Sequence, residues 1–162
     1  MLRPTFPQDE KFVYDLVYEL TAERLLAHLW DPNIRHQILD FQVRAQHSAW
    51  AVSHPNAEHA IIMLDDAAVG RMVIDRSGPF YDLVDIAIAP KHRGAGIGTR
   101  LILALCMEAG MSQKSVRLYV NVMNPRAIEL YKRLGFRVLE DLQTDLLMER
   151  SPADHSQVIA AG

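Results

Sequence analysis

Apolar residues recur along this chain at two spacings, one helical and one alternating. Between residues 9 and 30, DEKFVYDLVYELTAERLLAHLW sets Phe12, Leu16, Leu20, Leu25, Leu26 and Leu29 at helical spacing, which predicts one amphipathic helix over the whole stretch. Asp31-Pro32-Asn33 punctuates it, and a second helix over roughly 34–50 follows, with Ile38, Phe41 and Val43 as its inward positions. HAIIMLDDAAVGRMVID (59–75) reads as two apolar strands joined at Asp65-Asp66, a hairpin. YDLVDIAIAP (81–90) is a third strand closed by a proline, and a helix over 98–110 stops at Gly110. SVRLYVNVMN (115–124) alternates: Val116, Leu118, Val120 and Val122 face one way, Arg117, Tyr119 and Asn121 the other. NPRAIELYKRLGF (124–136) predicts a helix capped by Asn124, with Pro125 in its first turn and Gly135 as its terminator. A last strand region covers about 137–149, and 151–162 carries no periodic pattern and reads as a mobile tail. Helices, a hairpin, then strand–helix–strand–helix–strand predict an α+β domain, in three layers around a mixed sheet.

Composition narrows the classes. The 162 residues suit one domain, 49% are hydrophobic and 23% charged, and the formal net charge is −3. An acidic balance gives no footprint for nucleic acid and no polybasic membrane patch. No apolar run reaches spanning length and the N-terminal stretch lacks a signal-peptide core. The one cysteine, Cys106, excludes an internal disulfide and lies in an apolar helix, where it reads as core. A cytoplasmic protein is expected. The histidines are scattered, HPNAEH holding two at poor helical spacing, so no metal site is expected. Met63, Met72, Met107 and Met148 read as packing residues.

The chemistry concentrates in HRGAGIGTR (92–100), directly after Ala89-Pro90. Glycines before a helix let an anion approach unpaired backbone N–H groups at the positive end of the helix dipole. Arg93 and Arg100 flank the loop and can add charge-assisted contacts to a diphosphate. A P-loop would need Lys then Ser or Thr after the last glycine, whereas Gly98 is followed by Thr99-Arg100. A dinucleotide fingerprint would need glycine at 99. The alternative is a glycine-rich turn without a ligand.

DIAIAPKHRGAGIGTRLI (85–102) and NPRAIELYKRLGF (124–136), in this order with a strand between them, resemble the GNAT superfamily of N-acetyltransferases. LRPTFPQDEKFVYDLV, QILDFQVRAQ and GRMVIDR extend the resemblance upstream, so that it covers about 1–150. The resemblance implies a mixed, mostly antiparallel central sheet with a splayed strand pair and flanking helices. It implies transfer of an acetyl or other acyl group from acetyl-CoA to the primary amine of a small molecule or protein. Coenzyme-binding positions then follow as Ile86, Ala87 and Ile88 on the strand, with a backbone N–H near Ile88 polarising the thioester carbonyl. They continue with Arg93, Gly94, Ala95, Gly96, Ile97, Gly98 and Thr99 in the loop, and with Asn124, Arg126 and Tyr131 on the later helix. Tyr131 matches the general acid, although its helical stripe with Ala127, Leu130 and Leu134 equally suits a core tyrosine. Asp85 takes the place of an acidic base on the central strand; within an apolar strand it is either paired or facing a cleft. Where some relatives carry a glutamate on the next strand, Tyr119 stands here.

The implied partners are acetyl-CoA and an unidentified amine, and the chain is expected to be a monomer or homodimer. A non-catalytic acyl-CoA-binding sensor or interaction module is the other reading, which would need the glycine loop and not Tyr131. Phe41, Gln42, Gln46 and Trp50 are candidate lining for the acceptor. Asp82 and Asp85 suit a cationic amine, Arg44 and Arg71 a carboxylate-bearing one, and the signs conflict.

Overall fold

The computed structural model describes residues 1–152; the predicted tail from 153 onward lies outside the described residues. In chain order the elements are β1 Leu2–Pro4, α1 Glu10–Arg24, α2 Pro32–Ser53, β2 Glu58–Leu64, β3 Ala67–Asp75, β4 Tyr81–Ile88, α3 Ile97–Met111, β5 Val116–Asn121, α4 Pro125–Arg133, β6 Arg137–Asp141 and β7 Asp145–Arg150. The seven strands form one sheet in the order β1-β2-β3-β4-β5-β7-β6. The pairs β1/β2, β5/β7 and β6/β7 are antiparallel and β4/β5 is parallel. The mixed, mostly antiparallel sheet with flanking helices is the expected class. The parallel ladder holds only Tyr81↔Val116 and Asp82↔Arg117, which is the short pairing of a splayed strand. Contacts divide the chain into two compact units, one of residues 1–73 with 85–93, the other of 74–84 with the segment from Gly94 onward.

In the first unit, Arg3 donates from both terminal nitrogens to Asp9 at 2.7 and 2.8 Å, and Asp9 accepts the Phe6 N–H at 2.8 Å. These bonds tie β1 to the start of α1 and hold the Asp9 carboxyl at about 2. Leu16, Ala87 and Ala89 form a buried cluster against which Phe12 and Leu20 pack. The helix expected over 9–30 stops earlier: α1 ends at Arg24, Leu26 takes a left-handed conformation at φ +51°, and residues 27–29 make one 3-10 turn. No Gly or Pro marks that break. It leaves Leu26 and Leu29 exposed. Asp31 caps α2 by accepting the Asn33 N–H at 2.8 Å, with Pro32 in the first turn. Val43 of α2 is inward as predicted, but its buried partner is Leu39 and not Ile38 or Phe41; Phe41 is 67% exposed. Tyr14 of α1 reaches across to donate to Asp40 of α2 at 2.6 Å, so the half-buried Asp40 sits at the helix contact. Asp65 and Asp66, at φ +46° and +62°, join β2 to β3 as predicted; two consecutive left-handed residues match the twist of a hairpin.

In the second unit α3 buries Ile97, Ile102, Leu105, Cys106 and Ala109, and β5 buries Val116, Leu118 and Val120. Cys106 is core as expected, and burial pushes its thiol above the ordinary value. Met72 and Met148 pack as expected, in their respective units, whereas Met107 is 65% exposed on the outer face of α3. Val122 falls outside β5. The predicted last strand region is two strands, β6 and β7, reversed at Gln143 (φ +71°), with β7 lying between β5 and β6. Arg117 of β5 faces Glu149 of β7 in register and pairs with it.

Among the strands of the first unit, Gly70 of β3 has no room for a side chain: an added Cβ would lie 2.3 Å from the Ala87 carbonyl oxygen and 3.1 Å from Ile62 Cδ1. Gly70→Ala therefore forces β3 away from backbone that cannot yield. It is expected to cost about 1–3 kcal/mol, read as a fall in Tm of several degrees; an unchanged Tm would show that the strands relax freely.

Candidate active site

The loop before α3 is built by backbone conformation. Gly94 and Gly96 lie at φ +81° and +71°, where other residues are strained. A Cβ on Gly94 would meet nothing within 4 Å, and one on Gly96 would meet only the Arg100 Nη1 at 3.4 Å. The glycines therefore do not make room for the protein's own atoms. They give the turn its hand and leave open space above it. Gly96 starts α3 without any side-chain cap, and Arg100 closes the first turn by donating its N–H to the Gly96 carbonyl at 3.0 Å. The N–H groups of the first turn, Ile97, Gly98 and Thr99 among them, stand at the end where a helix lacks internal acceptors. Buried Ile97 pins the turn. Arg100 folds back to donate to the Ala95 carbonyl at 3.1 Å, bracing the loop.

Asn124 caps α4 as predicted, accepting the Ala127 N–H at 3.2 Å. Gly135, at φ +87°, ends the helix, and the Phe136 N–H returns to the Tyr131 carbonyl at 3.0 Å. That return brings the Phe136 ring edge-on to Tyr131, centroids 5.6 Å apart. Tyr131 is thereby buried in the second unit, and Arg126 is exposed on the first turn of α4.

The first unit holds the other expected residues. Ile86, Ala87 and Ile88 are the last residues of β4, beyond its two-residue ladder with β5. Arg93 presents its fork to Glu23 at the end of α1, with bonds of 2.9 and 2.8 Å, and its Nε donates to the Ile88 carbonyl at 3.3 Å. The Glu23 carboxyl is held below its ordinary range by that fork. Arg93 thus braces the strand end from α1. The sequence suggested an arginine free to meet a diphosphate, because nothing in it announced Glu23, seventy residues away.

Asp85 is paired. It accepts from the Arg71 Nε at 2.8 Å, with the Arg71 side chain 5% and the Asp85 side chain 22% exposed. Trp50 of α2 covers the guanidinium face, its ring centroid 4.8 Å from the Arg71 carbon. Burial pushes the Asp85 carboxyl up, while Arg71, His59 and the Ile86 N–H pull it down. His59 of β2 is pushed down by burial, then by Arg71 and His47, whose ring is 6.4 Å away. Gln46 and Trp50 are half-buried, while Phe41 and Gln42 are exposed. Arg44 pairs with Asp40 on the helix surface. Arg71 with Trp50 was missed as a unit; the available signal was one base and one acid, each inside an apolar strand.

A model of the acetyltransferase (GNAT) family matches residues 22–136. The chain belongs to the GNAT family. An uncharacterized N-acetyltransferase of Methanocaldococcus jannaschii is 43% identical over 60 residues, which is 36% of this chain and 26% of that protein; the match spans about a quarter of the relative. The PaiA N-acetyltransferase of Thermoplasma acidophilum, solved with coenzyme A, has the same fold at a TM-score of 0.71 and 16% identity, over 93% of this chain and 98% of that one. Spermidine N-acetyltransferase of Vibrio cholerae, solved with CoA and spermine, matches at a TM-score of 0.67 and 16% identity, over 96% and 97% of the two chains. Among the described residues no helix is long and apolar enough to cross a membrane, and no group of three or more His, Cys, Asp or Glu is placed to hold a metal ion.

An acid whose pKa is raised by folding holds its proton more tightly in the folded chain. Its contribution favours folding below the ordinary value and is lost as pH rises through the raised one. Asp85→Asn cannot titrate. The Tm difference between wild type and Asp85→Asn is therefore expected to shift in favour of the variant as pH rises from about 4 towards neutral; a constant difference would show an unshifted carboxyl.

Proposed function

We propose that this chain is an acetyl-CoA-dependent N-acetyltransferase acting on a primary amine. The observation that carries the reading is the open, left-handed turn at Gly94 and Gly96 running into an uncapped helix, in a GNAT family member. Backbone N–H groups from Gly94 to Thr99 receive the donor's diphosphate there. That two fold relatives were solved with coenzyme A supports it. Ile86, Ala87 and Ile88 offer backbone groups to the amides of the pantetheine arm, strand fashion. An N–H near Ile88 polarises the thioester carbonyl. Asn124 and Arg126, at the start of α4, contact the coenzyme. Arg93 acts at this site by holding the strand end and the entry to the loop, with Glu23 as its anchor.

The chemistry balances as follows. The neutral amine nitrogen attacks the thioester carbonyl carbon, the C–N bond forms, and the C–S bond breaks. The departing thiolate takes a proton from the Tyr131 hydroxyl, and the amine's proton passes to Asp85, directly or through water. Solvent returns a proton to Tyr131 and takes the one held by Asp85, so both groups are reset. The raised Asp85 carboxyl is a better proton acceptor than an ordinary one for the nitrogen that becomes cationic as the C–N bond forms.

Two variants test the two halves. Asn tolerates the left-handed region, so Gly96→Asn keeps the turn and puts atoms where the diphosphate is held; acetyl-CoA affinity by calorimetry is expected to fall about 10- to 100-fold. Wild-type affinity in the folded variant would remove the cradle from the mechanism. Tyr131→Phe keeps the ring against Phe136 and is expected to lower kcat by about 10²–10⁴ with acetyl-CoA affinity unchanged. An unchanged kcat, with chemistry limiting, would leave Tyr131 a packing residue and favour the sensor reading.

A further inference from the structure

Arg71 is the one guanidinium of the first unit that is buried in the sheet, and its bonding is incomplete. An arginine carries five N–H donors; here Nε serves Asp85, and the four donors on the terminal nitrogens have no acceptor among the described residues. Neither terminal nitrogen is sealed, however. Among the described residues, the fully buried side-chain atoms without a partner are the Nε and Nη1 of Arg150; the Arg71 terminal nitrogens are not among them, although its side chain is only 5% exposed. The indole of Trp50 covers one face of the guanidinium and Asp85 fixes its Nε corner. What remains presented is the planar Nη edge, held in orientation before any ligand arrives. That edge matches a carboxylate in bidentate fashion, which an ammonium group in the same place would not.

Asp85, bound through Oδ2, keeps about a fifth of its side chain exposed. A fixed positive edge and a partly exposed carboxylate therefore lie side by side. We propose that Arg71 and Asp85 together recognise an acceptor of amino-acid type, with the carboxylate on the Nη edge of Arg71 and the primary amine at Asp85. The inference rests on the acetyltransferase reading and names its substrate class. It also accommodates the opposite signs of Asp85 and Arg71 in the sequence, because these two charges form one pair. His59 is a poor second cation there, since burial, Arg71 and His47 push its imidazole below the ordinary value against the pull of Asp85. One fixed positive charge suits a monocarboxylate better than a phosphate dianion. A polyamine would bring a further positive charge against Arg71 without an acceptor for its donors.

The test uses the full chain with acetyl-CoA and thiol release as the readout. 4-Aminobutyrate, β-alanine and glycine are compared with butylamine, β-alaninamide, glycinamide and spermidine. The carboxylate-bearing amines are expected to exceed their uncharged counterparts by about tenfold or more in kcat/KM, through KM. Arg71→Lys keeps a counterion for Asp85 and loses the planar fork, so it is expected to abolish most of that preference while still acetylating butylamine. A second measurement does not need turnover: in protein labelled with ¹⁵N at arginine side chains, 4-aminobutyrate is expected to shift the Arg71 signals saturably and butylamine is not. If amines are acetylated with no preference and Arg71 does not respond, the inference falls and the acetyltransferase reading stands. If Arg71 responds saturably while no amine is acetylated, the carboxylate site stands and the acetyltransferase reading falls.

Discussion

β3 lies against the end of β4 at a distance that only a residue without a side chain permits. Gly70 takes that place, with the Ala87 carbonyl where its Cβ would be. The close approach fixes the register in which the next residue of β3, Arg71, meets Asp85 two positions before Ala87. It also sets the Ala89 N–H on the Val69 carbonyl at 2.9 Å, immediately before Pro90 turns the chain into the glycine loop. A charged pair inside a sheet is costly unless geometry is held tightly. Here the same backbone contact that forbids a larger residue at 70 supplies that tightness.

Much of the architecture was legible because local signals agreed with the tertiary outcome. Asp65-Asp66 makes the hairpin turn, Asn124 and Gly135 bracket α4, and the alternation of Val116, Leu118 and Val120 becomes the buried face of β5. The readings that failed lacked a local mark. Leu26 ends a helical pattern without a breaker, and helical periodicity alone could not tell Leu39 from its neighbour Ile38. The β6–β7 reversal at Gln143 was hidden because neither Gly nor Pro stands there.

The candidate site divides in the same way. Gly94 and Gly96 advertise their backbone in the sequence, and the structure gives both the left-handed conformation that makes glycine necessary. The partners of charged side chains are not written locally. Arg93 finds Glu23, Arg76 finds Glu108 at 2.7 Å, and Arg71 finds Asp85 with Trp50 over it. The links span 14 to 70 residues of chain, beyond the reach of a local pattern, so the long side chains that looked available for a ligand are largely braces. Arg71 is the exception, since one corner is braced and one edge is not.

The outermost strand gives the molecule a different kind of protection. All five residues of β6 are exposed, its register slips between Val138 and Glu140, and Arg137, Glu140 and Asp141 put charge along it. Open strand edges are templates on which other chains grow. A strand that is kinked and carries charges of both signs offers a poor template, so the rim that ends this sheet also discourages its extension into a filament. Neutralising those charges and smoothing the slip would leave the glycine loop and the Arg71–Asp85 pair in place and change only the company the protein keeps.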